Sequence, residues 1–531
     1  MILRIDHFFN YNCSFSKGIA TLIKRDSGEK GCCMRGLISS IISLCKLLVI
    51  LAVIIWVPRF FLYAPPEENP YAACLAFEDA KFKLGIENIS HDLIDFLKFG
   101  NNGKPFKIGL VTHDASINQE GKHTLEVLRM KGLTITVVFQ PGIELDGQKA
   151  VTSAHRVPIG IRSIRMGSQD TQHNWRDVGP ADIEDIDILI FDIQDSGIRP
   201  FSFCGILQNL MLLASQFNKK FIVFDRPNPL GFIMEGPVAS ENDANSYNML
   251  PIPFRHAMTC GEIARYINHH VLKSPIDLQV VPMQGYSRAA GLQTALLVPL
   301  STHLTSANAC FAYALTFLLA RIEPFFVGVG TSKPFQCIML PKEFNVTVQQ
   351  WHELKILLQT RYGIDSAYCS YFKKDNQRYY AGLFFSIAEI NSLPIVGATI
   401  TILEFFKGLG VHWRYTPAFA EHLHSPAFEH LFYFANTRTF KPEVKANVEP
   451  YDGVLRSSQN EVGSCCAATR NMGKALKNCM LDTAAFQPLS ASLQLQEKEQ
   501  LARYLYHELE LFMQRAKPAF LYRPLPKLER V

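Results

Sequence analysis

The run Ile186-Asp-Ile-Leu-Ile-Phe-Asp-Ile193 is apolar without the alternation of a half-exposed strand. A strand of this kind hides both faces, which is the condition of a parallel sheet covered by helices on both sides. The neighbouring segments repeat the theme. Phe106–Val111, Leu133–Phe139, Phe221–Phe224 and Leu278–Val281 read as strands, and 121–131 and 203–217 between them read as helices. Thr259-Cys-Gly-Glu262 opens another helix, because Thr259 can cap it and Glu262 stands three residues on, as in a capping box. This β-α-β alternation predicts an α/β fold, a Rossmann-like doubly wound and mostly parallel sheet over residues 72–300. Ligands of such folds bind beyond the carboxyl ends of the strands. Asp192, Asp195 and Asp225 fall there, each just after an apolar strand.

The pattern changes from about residue 305. Ala307–Arg321 reads as a helix, Tyr379–Ile387 as a strand and Glu497–Arg515 as an amphipathic helix, whereas 440–490 is polar and irregular. We expect residues 301–531 to form a second, smaller α/β domain with an irregular insertion near 440–490. A chain of 531 residues exceeds one ordinary core, so two domains fit its length.

Leu37–Val57 (LISSIISLCKLLVILAVIIWV) is long enough as a helix to cross a hydrocarbon core of ~30 Å. A central lysine such as Lys46 costs about 3 kcal/mol, while the Leu, Ile and Val side chains together favour insertion by roughly 4–8 kcal/mol. Lys17, Lys24, Arg25, Lys30 and Arg35 precede the span and favour an inside N-terminus. No small-residue cleavage site follows. The expected organisation is therefore a cytoplasmic segment at 1–36, an uncleaved single-pass inner-membrane anchor at 37–57 and a proline-rich linker at 58–71. The main domains then lie outside the cytoplasm.

The formal net charge of +5 comes with no dense Lys/Arg stripe, which argues against nucleic acid as a partner. The 13 cysteines include no C-x-x-C, so neither a zinc ribbon nor a thioredoxin motif is supported. His412, His422, His424 and His430 match no ligand spacing, and no metal is expected. Val111-Thr-His-Asp114 follows the first strand in place of G-x-G-x-x-G, so no dinucleotide cofactor is expected either. The sequence leaves the oligomeric state open.

The chemistry-bearing stretches lie at strand ends. Asp192 and Asp195 flank a turn with Gly197 and Arg199. A catalytic pair needs one carboxylate ionised and another protonated; the structural alternative has Asp195 capping a helix and Arg199 pairing with Asp192. Asp225-Arg-Pro-Asn-Pro-Leu-Gly231 is pinned by two prolines and offers Arg226 and Asn228 as donors; Met234-Glu-Gly-Pro237 brings Glu235. Arg255 and His256 precede the capped helix and can bind a carboxylate or a phosphate with help from its N-terminus. Val137–Asp146 ends in Glu144 and Asp146.

The succession DIQDSGIRPFSF, DRPNPLG, MEGP, PIPFRHAMTCGEIA and VGTSKPF resembles the bacterial exo-β-N-acetylmuramidase NamZ family. That resemblance implies removal of terminal N-acetylmuramic acid (MurNAc) from peptidoglycan fragments, in a cleft between a Rossmann-like domain and a smaller one. It also implies substrate-side roles for Arg199, Arg226, Asn228, Glu235, Arg255, His256 and Thr331. The family's Pro-Glu-His-Gly is altered here: Pro141 is followed by Gly142, Ile143 and Glu144. Glu144 becomes the acid/base candidate, with Asp192, Asp195 and Asp225 as its partners. Two tyrosines of the family pattern become Phe201 and Phe203, and an arginine becomes Val329. These losses leave open a catalytically silent sugar-binding envelope protein, or one whose cleft is vestigial and plugged by Phe201 and Phe203.

Overall fold

A computed structural model describes residues 82–100, 103–141, 143–145, 148–150, 157–166, 175–176, 178–239, 250–288, 300, 304–373, 376–415, 491–523 and 525–529. Strand β1 (Ile108–Thr112) is buried at every position, and so is β7 (Ile188–Asp192). They pair in parallel, Ile108 beside Ile188 and Thr112 beside Asp192. Around them β2 (Ile135–Pro141), β5 (Arg162–Met166), β6 (Trp175–Arg176), β8 (Lys220–Phe224) and β11 (Leu278–Val281) complete a seven-stranded sheet in the order β11-β8-β7-β1-β2-β5-β6. Every pairing is parallel. The chain thus works outward from β1 in both directions, which makes the β1/β7 junction the topological switch point.

Each face of the sheet has its own apolar layer. Ile108, Leu110, Ile188, Ile190 and Ile222 pack with Leu93 and Leu97 of α1 (His91–Phe99) and Leu125 and Leu128 of α2 (Thr124–Met130). Val111, Leu189, Phe191, Phe221 and Val223 share a second cluster with Leu207 and Met211 of α4 (Phe203–Gln216) and Ile263 of α5 (Cys260–His270), α3 being the short turn Pro180–Ile183. The doubly wound arrangement expected from the non-alternating strands is therefore present. At α5 the capping box forms: the Thr259 hydroxyl accepts from Glu262 N–H, and the Glu262 carboxylate accepts from Thr259 N–H.

The second cluster runs on past residue 300 into α6 (Ala307–Thr316), α7 (Val348–Tyr362) and α8 (Ile395–Gly408). It includes Leu315, Leu354 and Ile402 together with Ile338, Leu340 and Leu383. Those last three come from a three-stranded antiparallel sheet, β13 (Cys337–Pro341), β15 (Arg378–Ser386) and β14 (Asp365–Lys373), in that order. Helix α9 (Ala491–Ala516) adds Leu509 and Phe512 to the same layer. All described residues fall within one compact unit, Cys74–Val531. The expected span 37–57, the linker 58–71 and the insertion 440–490 lie outside the described residues. Among the described residues no helix is long and apolar enough to cross a membrane.

Gly85 sits where only hydrogen fits. A Cβ there would stand 2.3 Å from the backbone nitrogen of Asp225 and 2.6 Å from the carbonyl oxygen of Val281. Backbone cannot step aside as a flexible side chain can. Gly85→Ala is expected to lower unfolding stability by about 1–3 kcal/mol, the usual cost of overpacking, read as a lower urea midpoint at unchanged slope.

Candidate active site at the strand switch point

The loop that leaves β1 and the loop that leaves β7 meet at the switch point. Ser116 Oγ donates to the carbonyl oxygen of Asp192 at 2.6 Å. Thr124 at the start of α2 donates its hydroxyl to the Asp192 carboxylate. Arg226, from the loop after β8, grips that carboxylate with both Nε and Nη2 and sends Nη1 to the carbonyl of Ile117 at 2.9 Å. Asp192 and Arg226 are both buried. A buried bidentate pair is a positioning device, since each charge is held by the other and by hydroxyl and carbonyl groups. The partner of Asp192 is thus Arg226, and not Arg199 as the structural alternative had it.

Arg199 instead donates Nη1 to the carbonyls of Pro237 (2.8 Å) and Ile252 (2.6 Å). Burial lowers its pKa to about 9. Asp195 accepts from Gly197 N–H at 2.7 Å and faces His256 Nε2 at 3.4 Å. Gly197 carries φ +91°, and a Cβ there would meet Asn228 Oδ1 at 2.5 Å. The glycine of the D-x-G-x-R stretch is therefore needed for both conformation and space.

Asp225 is held by four donors: Thr259 Oγ1 (2.7 Å), Gly261 N–H (2.8 Å), Tyr522 O–H (2.8 Å) and Arg226 N–H (3.0 Å). Burial and then nearby Glu262 push it up to about 6 against those hydrogen bonds. Asn228 closes its own loop, accepting from Leu230 N–H and donating to the carbonyl of Met258. Arg255 spans Glu235 (3.0 Å) and the carbonyls of Leu230, Leu393 and Ile390. Glu235 in turn accepts from the first N–H groups of α8, at Ile395 and Val396. Glu235, Arg255 and His256 have no exposed surface. The first two stitch β9 (Ile233–Val238) and β10 (Pro253–Arg255) to α8; they do not line an open cleft. Thr331 lies apart, in the turn after Gly328, where its hydroxyl bonds the carbonyl of Gly328.

Glu144 lies on β3 (Ile143–Leu145), which pairs with β4 (Gln148–Ala150) as a hairpin immediately beyond β2, with Glu144 opposite Lys149. Of that hairpin only the backbone path is described. It leaves from the carboxyl end of a central strand, where a ligand of this fold would sit.

Two groups were invisible to motif reading. His113, after β1, accepts from Gln194 N–H through Nε2 at 3.0 Å, and burial with Arg226 nearby lowers its pKa to about 3. It is a neutral hinge between the two loops. Tyr522, near the C-terminus, reaches Asp225 and also accepts from Met283 N–H. Thr112-His113 follows the first strand in the sequence, which was a usable signal; nothing local marks Tyr522.

Asp195, Cys204 and His256 place one potential ligand atom each within 4.8 Å of one another. His256 Nδ1 accepts from Met258 N–H at 3.2 Å, so the ring proton belongs on Nε2, directed at Asp195. A metal would need that same nitrogen. Burial holds the Cys204 thiol well above its ordinary pKa, with Asp195 adding to the rise. The set fits a hydrogen-bonded cluster better than an ion site. Phe201 and Phe203, in the same loop-to-helix stretch, pack edge to face at 4.8 Å. Phe203 touches His113, and Phe201 touches Tyr313 of α6.

Together these features define a doubly wound α/β protein with a network of buried carboxylates and arginines at its switch point. Residues 108–308 match the family "Exo-beta-N-acetylmuramidase NamZ, N-terminal". The chain is 30% identical over 269 residues to the peptidoglycan beta-N-acetylmuramidase NamZ of Bacillus subtilis (strain 168). That alignment covers 49% of this chain and 62% of the relative's length. Two DUF1343 family crystal structures from Bacteroides fragilis share the fold. One has a TM-score of 0.57 at 21% identity, the other 0.51 at 18%, each covering 83% of this chain and 99% of its own. Over this part of its length the chain is similar to the NamZ family.

Proposed function

We propose that the protein is an exo-acting glycoside hydrolase that releases terminal N-acetylmuramic acid from peptidoglycan fragments. The observation that supports this reading is the hairpin beyond β2, which carries Glu144 and follows a strand of the family-matched region. Glycosidases of the common type need two carboxyl groups around the bond. Glu144 is the acid/base in this reading. Asp195 is the second carboxylate, because Asp192 is committed to Arg226 and Asp225 to the start of α5. Arg226 and Asp192 hold the two switch-point loops in register. An anchor at 37–57 would keep the enzyme on the outer side of the inner membrane, beside its substrate.

The test is hydrolysis of a chromogenic β-N-acetylmuramide by the full chain, with Glu144→Gln and Asp195→Asn beside it. Loss of a general acid is expected to lower kcat by 10²–10⁴-fold. Turnover that survives Glu144→Gln would remove Glu144 from the chemistry.

The burial of Asp192, Asp225 and His256 favours a second reading, a protein that holds the sugar without cutting it. Saturable binding of N-acetylmuramic acid by calorimetry with no chromophore released would select that reading.

A further inference from the structure

The outer sheet of the C-terminal half carries a surface that the switch-point site does not use. Strands β14 and β15 form a long hairpin whose tip reads Tyr371-Phe-Lys-Lys-Asp-Asn-Gln-Arg-Tyr-Tyr380. Lys373 pairs with Arg378, Phe372 with Tyr379 and Tyr371 with Tyr380. The period-2 alternation of strands sends these pairs to opposite faces, so both faces of the tip are aromatic.

On one face Phe372 and Tyr379 meet at 4.6 Å with their rings tilted by 39° and remain 40% and 57% exposed, with the Lys342 ammonium 5.3 Å from the Tyr379 ring. On the other, Phe326 lies nearly parallel to Tyr371 at 5.8 Å and touches Tyr380 at 4.9 Å, with the Lys373 ammonium 5.1 Å from the Phe326 ring. Asn376 ties the Tyr380 hydroxyl into the tip. Exposed aromatic side chains of this size cost solubility and mark an interaction surface when they cluster. The cations around them, Lys342, Lys373 and Arg378, have one described carboxylate partner, Glu343 with Arg378 at 3.5 Å. The patch is therefore aromatic with a cationic excess.

We propose that this hairpin tip is a docking platform for an acidic glycan polymer, the carboxylate-bearing peptidoglycan strand. It lies outside the switch-point residues that bind or cut the terminal sugar. The idea rests on the functional reading above for the identity of the polymer. The exposed rings offer π faces to the C–H faces of pyranose rings, and the Tyr379 hydroxyl adds a polar group at the rim. The lysines and arginine complement the lactyl and peptide carboxylates. The cations flanking the rings, Lys342 at 5.3 Å from Tyr379 and Lys373 at 5.1 Å from Phe326, favour a carboxylate-bearing glycan as the occupant.

The experiment is cosedimentation of the full chain with purified insoluble sacculi, comparing the parent with Phe372→Ala/Tyr379→Ala and with Lys342→Gln/Lys373→Gln. Each double variant is expected to bind sacculi about tenfold more weakly, with an unchanged unfolding midpoint. Its turnover or binding of the small chromogenic muramide should also be unchanged. The small ligand reports on the switch-point site alone, so failure of the function assay leaves the sacculus result interpretable. Parent-level sacculus binding by both variants would overturn the platform. So would an absence of sacculus binding by the parent chain. A preference for phosphatidylglycerol vesicles over neutral ones that disappears in the aromatic variant, with sacculus binding unaffected, would make the tip a membrane contact and equally refute the proposal.

Discussion

Acidification below pH 6.5 is expected to destabilise the parent protein relative to its His113→Gln variant. His113 is neutral in the fold because burial, Arg226 and His123 all disfavour its charged form, and its pKa falls from 6.5 to about 3. In the unfolded chain it gains a proton near pH 6.5. Between those values the unfolded state binds more protons, so stability drops as pH falls through the window. A shift of this size corresponds to about 5 kcal/mol at its full extent. Asp225 works in the opposite sense. Its pKa is raised from 3.8 to about 6, so the native state holds the extra proton. Its contribution is complete below pH 3.8 and is lost as pH rises through 6. The two slopes oppose and nearly cancel between pH 4 and 6, so the net loss from His113 is felt outside that window, between pH 6.5 and 6 and again below pH 4. Gln can still offer an acceptor to Gln194 N–H but does not titrate. Urea midpoints at pH 7, 5.5 and 4.5 would test this. The parent should lose stability mainly from pH 7 to 5.5 and change little from 5.5 to 4.5, where the two slopes nearly cancel, whereas His113→Gln should gain stability at each step through Asp225. A parallel decline in both proteins would exonerate His113.

The second large effect concerns Arg255. Arg255→Met is expected to cost about 3–5 kcal/mol, because it leaves Glu235 buried with its charge uncompensated. Both side chains are wholly buried, and the Glu235 carboxylate also holds the first turn of α8 through Ile395 and Val396. Glu235→Met should cost a similar amount for the converse reason. The double variant is expected to recover part of the loss, since two apolar side chains of similar volume replace the pair. A double-mutant cycle measured by urea unfolding gives the coupling directly. Strict additivity would show that the pair acts through its separate backbone contacts. A rise in KM for the muramide with stability unchanged would return Arg255 to substrate contact.

Much of the architecture was written locally. The absence of alternation in Ile186–Ile193 can be satisfied only by burial on both faces, and β7 is buried at all its positions. Thr259 and Glu262 sit three residues apart and can find each other without help from the rest of the chain, and they do. Strand ends were equally legible, so Asp192, Asp195 and Asp225 could be placed at the carboxyl edge. The second sheet was read less fully. Tyr379–Ile387 was recognised as a strand, but Cys337–Pro341 is short and apolar, and no period separates it from a buried helix turn.

What each charged group does was decided by tertiary structure alone. Arg199 stands four residues from Asp195, yet it spends its guanidinium on the carbonyls of Pro237 and Ile252. Arg226, 34 residues away, takes Asp192. Arg255 meets the Leu393 carbonyl across 138 residues, and Tyr522 meets Asp225 across 297. Sequence alone therefore determined the strands, the caps and the edge of the sheet where carboxylates gather. Which donors hold each of those carboxylates followed from the fold. Hydrophobic periodicity and capping act over one or two turns, whereas a buried charge takes whichever donors the packed interior brings within about 3 Å.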